Sequence, residues 1–501
     1  MTNLITIEII TLTGESLGKF NHNIEHKYYE FINNIYYNYE SILDDSDNTE
    51  YCNKFMIGTN DINYNTYNEC NIKFESYNII TYIKIRLPKI FSTDHAFAVI
   101  KNDGNVITWG DPQYGGDSNL IKEHLSNMTD VKYIYSNLYV FAALKNDGSV
   151  IIWGSTFYGG YYNSNEIDLS NIKCIYSTDT AFAALKNDGS VVTWGDINEG
   201  GDSDLVKKYL QSDVKQIYST GIAFAALKND GSVITWGHKK GGGDSELVKE
   251  LLTDVINIYS TTSAFAALKN DGSVVIWGDL DPSNNYLQSD IKNIYTSSNS
   301  FAVIKNDGSV IAWGGEYDDI PKSIKKYLQS NIKYIYTTNS AFAALKNDGS
   351  VITWGDIYSG GRCSNTVKKH LQSGVIDIYS TDYAFAALKN DGSVITWGDN
   401  EYGGNSDLVK QHLKSDVKKI YSIKRAFAAL KNDGSVITWG YNMFYDSLES
   451  IRDYLTSDVK YIYTATSVFA AIKTDGTIIT WGNKDCGGYY KICDENIISL
   501  F

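Results

Sequence analysis

The chain has 501 residues, 43% hydrophobic and 21% charged, the balance of a globular protein rather than a disordered one. Its formal net charge of -15 repels phosphate backbones as a whole, which argues against general binding to nucleic acid or to an anionic membrane. No apolar run reaches the roughly 18 residues of a transmembrane helix. The opening MTNLITIEII lacks the basic start of a secretory signal, and six Cys are too sparse for a disulfide scaffold, so an intracellular setting, cytoplasm or nucleus, is expected.

Residues 1–88 contain no Trp and read strand, turn, strand, helix, strand, loop, strand. ITIEIITLTGESLGKFN is a hairpin turning at Gly14; Tyr28, Phe31, Ile32, Ile35, Tyr39 and Ile42 recur at helical spacing; DDSDNTE at 44–50 is an acidic loop; KFMIG and ITYIKIRL are later strands. The order is that of a small α+β, β-grasp-like domain. An unrelated α+β cap over the neighbouring segment of the chain would use the same residues. Through Leu12-Thr13-Gly14, KFMIG and the closing Ile83 to Leu87, the segment resembles ubiquitin-like domains. Pro88-Lys89 stands where a di-Gly tail would be, so the resemblance does not imply conjugation.

From residue 89 the chain repeats. All ten Trp, from Trp109 to Trp481, precede a Gly, at a mean spacing near 41 residues. Such a period means a solenoid, a propeller or an array. A typical unit, from Val214, is VKQIYSTGIAFAALKNDGSVITWG. VKQIYS alternates as a half-buried strand does, and AFAAL is apolar on both faces, as a central strand is. Asp230-Gly231 marks a hairpin, and SVITWG returns with Ile234 and Trp236 on one face. A Gly-rich loop comes next, GGDS at 115–118, 200–203 and 242–245, and then a short amphipathic helical segment such as DLVKKYLQSD. Ser203 or Asp204 would cap it, with Leu205, Val206 and Leu210 facing inward.

One unit cannot bury its Trp, Phe and Ala faces alone, but stacked units can. The fold expected is therefore mainly β: a ten-unit β-propeller, or a propeller-like superhelix, of three-stranded blades each with a short helix, after the small α+β domain. The C-terminal ENIISLF matches the first strand of an eleventh unit, which leaves ring and superhelix both open. The phrases Ile-Tyr-Ser, AFAAL, Asp-Gly-Ser-Val and Trp-Gly resemble the regulator of chromosome condensation repeat across residues 89–501. The short WG…YGGDS…AFAAL…DGSVITWG dialect is similar to proteins of amoeba-infecting giant DNA viruses and some protists. The units are shorter than in the founding family, and there are ten rather than seven.

No residue pattern commits to catalysis, a metal or a cofactor. The seven His form no ligand spacing with Cys, and His22 and His26 lack the HExxH pattern. The GGDS loops lack the Lys of a phosphate-binding loop, so a tight turn with a helix cap is expected there. The NDG turns carry one recurring Asp, too few for calcium. The Lys of each KNDG tip would make a basic ring if all tips shared a rim. No enzyme is therefore expected.

Specificity in a repeat scaffold is written where units differ. Two loops differ freely, one after Ile-Tyr-Ser/Thr and one after Trp-Gly. Three departures stand out as candidate partner contacts: His238-Lys239-Lys240, Lys424-Arg425 and Met443-Phe444-Tyr445. Two functions fit: a non-catalytic scaffold that binds protein partners, or a self-associating structural component of a giant-virus virion. The resemblance implies partners such as a small GTPase, a chromatin protein or ubiquitin machinery.

Overall fold

The computed structural model describes residues 4–11, 16–23, 51–57, 60–62, 79–86 and 89–492, apart from 101–103, 118–129, 161–166, 280–285, 288–289, 315–319, 442–450, 475–476, 487 and 489–490. Two compact units divide the chain, Met1–Lys89 with Ser499–Phe501, and Ile90–Ile498.

In the first unit β1 (Leu4–Thr11), β2 (Ser16–Asn23), β3 (Tyr51–Ile57), β4 (Asn60–Ile62) and β5 (Ile79–Arg86) form one sheet in the order β2-β1-β5-β3-β4. Only β1 and β5 pair in parallel, Glu8 opposite Ile79; the other neighbours are antiparallel. The expected helix from residue 24, the Gly14 turn and the acidic loop lie outside the described residues.

The second unit consists of ten antiparallel blades, numbered 1 to 10 by their Trp in chain order. Blade 4 shows the pattern: an inner strand Val214–Ser219, a middle strand Ala223–Lys228 and an outer strand Val233–Gly237. Ala225 lies opposite Tyr218 on one side and Thr235 on the other. A one-residue bulge between Val214 and Gln216 turns the inner strand, and equivalent bulges recur in blades 2 to 10. A short extra strand joins blade 5 (Tyr286–Leu287) and blade 10 (Lys491–Ile492).

The alternation of the middle strand explains the stacking. Ala181, Ala183 and Leu185 of blade 3 face forward onto Val214, Ile217, Phe224 and Trp236 of blade 4. The small Ala side chains let the Phe224–Trp236 pair, stacked at 5.2 Å, reach the neighbouring backbone. The same pairing repeats in all ten blades, from Phe97–Trp109 to Phe469–Trp481.

The blades close on themselves. Val468 and Ala470 of blade 10 pack with Phe97, Val99 and Trp109 of blade 1, together with Cys486. The ring is thus sealed by the same Ala-against-Phe–Trp contact that joins every other pair, and each blade is built from consecutive strands. The matching ENIISLF segment lies outside the described residues.

The Gly-rich loops and helical segments depart from expectation. Ser203 makes no cap; its hydroxyl takes the Thr193 hydroxyl at 3.0 Å. The segment Asp204–Tyr209 is a 3-10 helix, whose tighter turn buries Leu210 and half-buries Val206 but leaves Leu205 97% exposed.

Candidate protein-interaction face

Strand direction fixes which loops meet. Inner strands rise to the Ile-Tyr-Ser/Thr loops, middle strands return to the KNDG hairpins, and outer strands rise again to the Trp-Gly loops. Both variable loops therefore share one face, and the hairpins occupy the other.

Three concentric rings of residues organise the variable face. The first is Ser or Thr at the end of each inner strand: the Ser136 hydroxyl donates to the Ser92 carbonyl at 2.6 Å, and Ser177 to Ser136 at 2.9 Å. The second pins the outer loop to the inner one. The Thr220 hydroxyl donates to the Gly241 carbonyl at 3.0 Å and Thr381 to Tyr402 at 2.9 Å, while the Asn137 amide donates to Tyr158 at 3.2 Å.

The third ring is made by backbone. Asp94 N–H donates to the Leu138 carbonyl, Leu138 to Asp179, Asp179 to Gly221, Gly221 to Thr262 and Thr262 to Ser298. From Asn339 the chain of bonds continues through Asp382 and Lys424 to Thr466. The Ser298 hydroxyl bridges to the Asn339 side chain at 2.7 Å, and the Thr466 hydroxyl donates to the Asp94 carboxylate, which completes the circle. Inside it lies a polar cavity of about 810 Å³ bounded by the three rings.

The third-ring side chains differ from blade to blade. They run Asp94, Leu138, Asp179, Gly221, Thr262, Ser298, Asn339, Asp382, Lys424, Thr466. Lys424 Nζ lies 3.7 Å from the Asp94 carboxylate. Burial raises the Asp179 carboxyl above the usual range, and Glu199 and Asp94 raise it further, with Lys424 opposing. Burial also raises Asp382, against Lys424 and Arg425.

Aromatic rings flank this mouth in two sectors. His95, Tyr114, Tyr139 and Tyr158 form a run across blades 1 and 2, with centroids 4.6, 5.3 and 4.4 Å apart in succession. Across blades 8 and 9 the Arg425 guanidinium sits 5.3 Å from the Tyr402 ring and 5.0 Å from Tyr441. Cys486 Sγ is 3.5 Å from His95 Nδ1 at the blade 10–1 seam. Among the described residues no group of three His, Cys, Asp or Glu is placed to hold a metal.

Of the residues picked from the sequence, Lys424 stands in the third ring and Arg425 beside it. His238, Lys239 and Lys240 lie on the same face in blade 4, where Thr220 holds their loop through Gly241; Lys239 Nζ is 3.6 Å from Asp244. Met443, Phe444 and Tyr445 lie outside the described residues. Sequence reasoning missed Asp94, Asp179 and Asp382 and the tyrosines beside them. Their signal was present as TDH, TDT and TDY in the loop after Ile-Tyr-Ser, where the basic IKR loop is the more conspicuous departure.

On the opposite face hairpin lysines are drawn into hydrogen bonds. The Lys228 ammonium donates to the Tyr209 carbonyl at 2.9 Å, Lys389 to His370 at 3.2 Å, and Lys186 to Asp168 at 2.5 Å. Beside each lies a hairpin Asp, such as Asp230, whose carboxylate takes both the N–H and the hydroxyl of Ser232.

Ten three-stranded blades stacked in a circle make this unit a β-propeller of repeats. The model of the Regulator of chromosome condensation (RCC1) repeat matches residues 375–403, within blade 8 and its outer loop, so that blade is similar to the RCC1 repeat. Yeast RCC1 (Prp20), in a structure bound to Kap60, is similar at 14% identity and a TM-score of 0.32, over 70% of this chain and 85% of that one. Prp20p from Saccharomyces cerevisiae, in a structure whose description names binding to Gsp1p and histones, gives 15% and 0.29 over 66% and 74%. Human WBSCR16 gives 15% and 0.30 over 62% and 89%. No curated protein sequence matches the chain. No helix among the described residues is long and apolar enough to cross a membrane.

Proposed function

We propose that the protein is a non-catalytic scaffold that docks a protein partner on the face carrying both variable loops. One observation carries this reading. The third ring keeps backbone hydrogen bonds at eight of its ten steps, with side-chain bridges at Ser298–Asn339 and Thr466–Asp94, while its side chains change from blade to blade, so the position holds shape and varies chemistry. The ubiquitin-like reading of the first unit is part of the proposal, supported by the sheet order with its parallel β1–β5 pair; that unit would recruit a second partner. An intracellular location is proposed with it, consistent with free thiols at Cys174 and Cys363.

A second reading, self-association as a structural component of a giant-virus particle, is favoured by Leu205, Leu247 and Leu408, each at least 86% exposed at the same place in its helical segment. The test is a pull-down from the native source with the full chain and with a variant carrying Ser at 94, 179, 382 and 424. A stoichiometric protein held by the first and lost by the second is expected. An unchanged partner set would refute the docking face, and recovery of the chain alone would favour assembly.

A further inference from the structure

We infer that the sector of this face formed by blades 1 to 3 is a seat for a cationic side chain, arginine or lysine, next to an apolar residue in a segment of the partner protein. The inference rests on the scaffold reading and names the chemistry its partner must carry.

The repeat supplies its own comparison. In blades 8 and 9 a tyrosine in the outer loop of one blade, Tyr402, meets the residue after the third ring in the next, Arg425. Tyr441 lies 5.0 Å from the same guanidinium, and Asp382 is the third-ring residue of blade 8. Here the chain places a cation of its own among tyrosines and a carboxylate, an arrangement that the negative face of an aromatic ring favours.

Blades 1 and 2 repeat that frame with a tyrosine in place of the arginine, and Lys424 Nζ 3.7 Å from the carboxylate. Tyr114 stands where Tyr402 does, Asp94 where Asp382 does, and Tyr139 takes the place of Arg425. Tyr158 and His95 extend the aromatic run on either side, and all four rings are partly exposed. Blade 3 adds a second third-ring carboxylate, Asp179, with Glu199 behind it. Tyr139 follows Leu138, the third-ring residue of blade 2, which lies between Asp94 of blade 1 and Asp179 of blade 3 in the ring of backbone bonds. Lys424, two places from Asp94 around the ring, lies 3.7 Å from its carboxylate, and Asp179 is crowded by Glu199 and Asp94, with Lys424 opposing. A bound cation would relieve that crowding.

The requirement for an apolar neighbour comes from the outer loops. Phe157, next to Tyr158 in blade 2, is 87% exposed, and Ile197 in blade 3 is 70% exposed. A free polyamine would leave both uncovered, whereas a peptide with an apolar residue beside its arginine or lysine would cover them.

The test is selection of random heptapeptides on the immobilised full chain, followed by titration of the best binder and of spermidine. Expected are peptides with Arg or Lys beside an apolar residue, bound at least about tenfold more tightly than spermidine. Asp179→Asn and Tyr139→Ala should each weaken binding about fivefold or more, and Phe157→Ala, at an exposed site that folding does not need, should weaken the peptide but not spermidine. Asp179→Lys should reverse the selected charge. Selection without basic residues, or full binding by Asp179→Asn, would overturn the proposal; equal affinity for spermidine would assign the seat to a free polyamine instead. If the native partner in the pull-down is lost with the four-position variant yet held by Tyr139→Ala and Phe157→Ala, the scaffold reading stands and the cation seat falls.

Discussion

Replacing Gly200 by Ala tests how the Gly-rich loops work. They read from sequence as turns with a helix cap; in the structure the Gly200 loop of blade 3 is clamped to blade 4. The Gly200 carbonyl accepts the Trp236 indole N–H at 3.1 Å, and a Cβ at position 200 would stand 2.6 Å from Phe224 Cδ2. The backbone there has φ near +103°, where an L side chain costs about 1–2 kcal/mol. Pressing a methyl group into a fully buried Phe adds about 1–3 kcal/mol, and loss of the indole hydrogen bond about 1 kcal/mol more. The expected destabilisation is therefore about 3–6 kcal/mol. If the ring of roughly 400 residues melts as one unit, its unfolding entropy near 2.1 cal/mol/K per residue converts this to a fall in Tm of about 4–7 °C. Tryptophan fluorescence on heating and in urea reads it directly, since Trp236 is at the site. Gly221→Ala is the control: its φ is ordinary, and its Cβ would first meet the end of the Asp179 carboxylate, which can swing aside. A Gly200→Ala shift no larger than that of Gly221→Ala would refute the clamp.

Ring closure predicts that Phe97→Ala costs about as much as Phe224→Ala, about 3–5 kcal/mol, because Phe97 is as buried against blade 10 as Phe224 is against blade 3; an open superhelix would leave Phe97 nearly neutral in the same melt. Asp179→Asn should raise Tm at pH 7: a carboxyl whose folded pKa is raised costs stability once pH exceeds that pKa, and the gain should shrink as pH falls toward the ordinary carboxylate range. The hairpin carboxylates behave in the opposite sense. Asp147, Asp188, Asp230, Asp271, Asp307, Asp348, Asp391 and Asp433 are held below their usual pKa by the hydroxyl and N–H of the Ser two residues on. Their stabilisation is complete above about pH 4 and is lost as pH falls through the lowered values. An acid titration followed by circular dichroism should show that loss, with its midpoint moved to higher pH when several of these Ser are changed to Ala.

Much of the propeller was legible because its signals are local. Strand alternation in VKQIYS, the Asp-Gly turn at 230–231 and the recurring Trp-Gly need only neighbours in the chain to be read. Closure was not legible, since it depends on rotation accumulated over ten blades and on whether the last face fits the first. One clue was available: Val468 and Ala470 keep a small, apolar forward face at a position that would meet water in an open array. The Leu205 expectation failed for a different reason. Three apolar residues at α-helical spacing cannot all face inward once the segment tightens to 3-10 geometry and only Val206 and Leu210 reach the core. The site was half legible. The variable loops were visible as variation, but that Tyr114 of one blade meets Tyr139 of the next is a product of the stacking alone.

That stacking also explains why the third ring is the position free to carry information. In the first ring the hydroxyls that the structure pairs hold adjacent inner strands together, and in the second they pin the outer loop in six blades, with Ile423 and Ala465 at that place in blades 9 and 10, so a change of side chain at a pinned position removes a hydrogen bond from the frame. In the third ring the circle is tied mainly through N–H and carbonyl groups, which any residue but Pro supplies. Gly221, Leu138, Asp179 and Lys424 therefore occupy equivalent places at little cost to the frame. The clearest structural constraint on these side chains is mutual. Gly221 leaves room for the Asp179 carboxylate, which would stand 2.9 Å from a Cβ there, and Lys424 answers Asp94 past Thr466. A residue whose backbone duty is fixed and whose side chain is constrained only by its ring neighbours can change charge without unfolding the propeller. Exchanging Gly221 and Asp179 between their blades should accordingly leave the melting temperature within about 2 °C while moving the negative charge one blade around the rim.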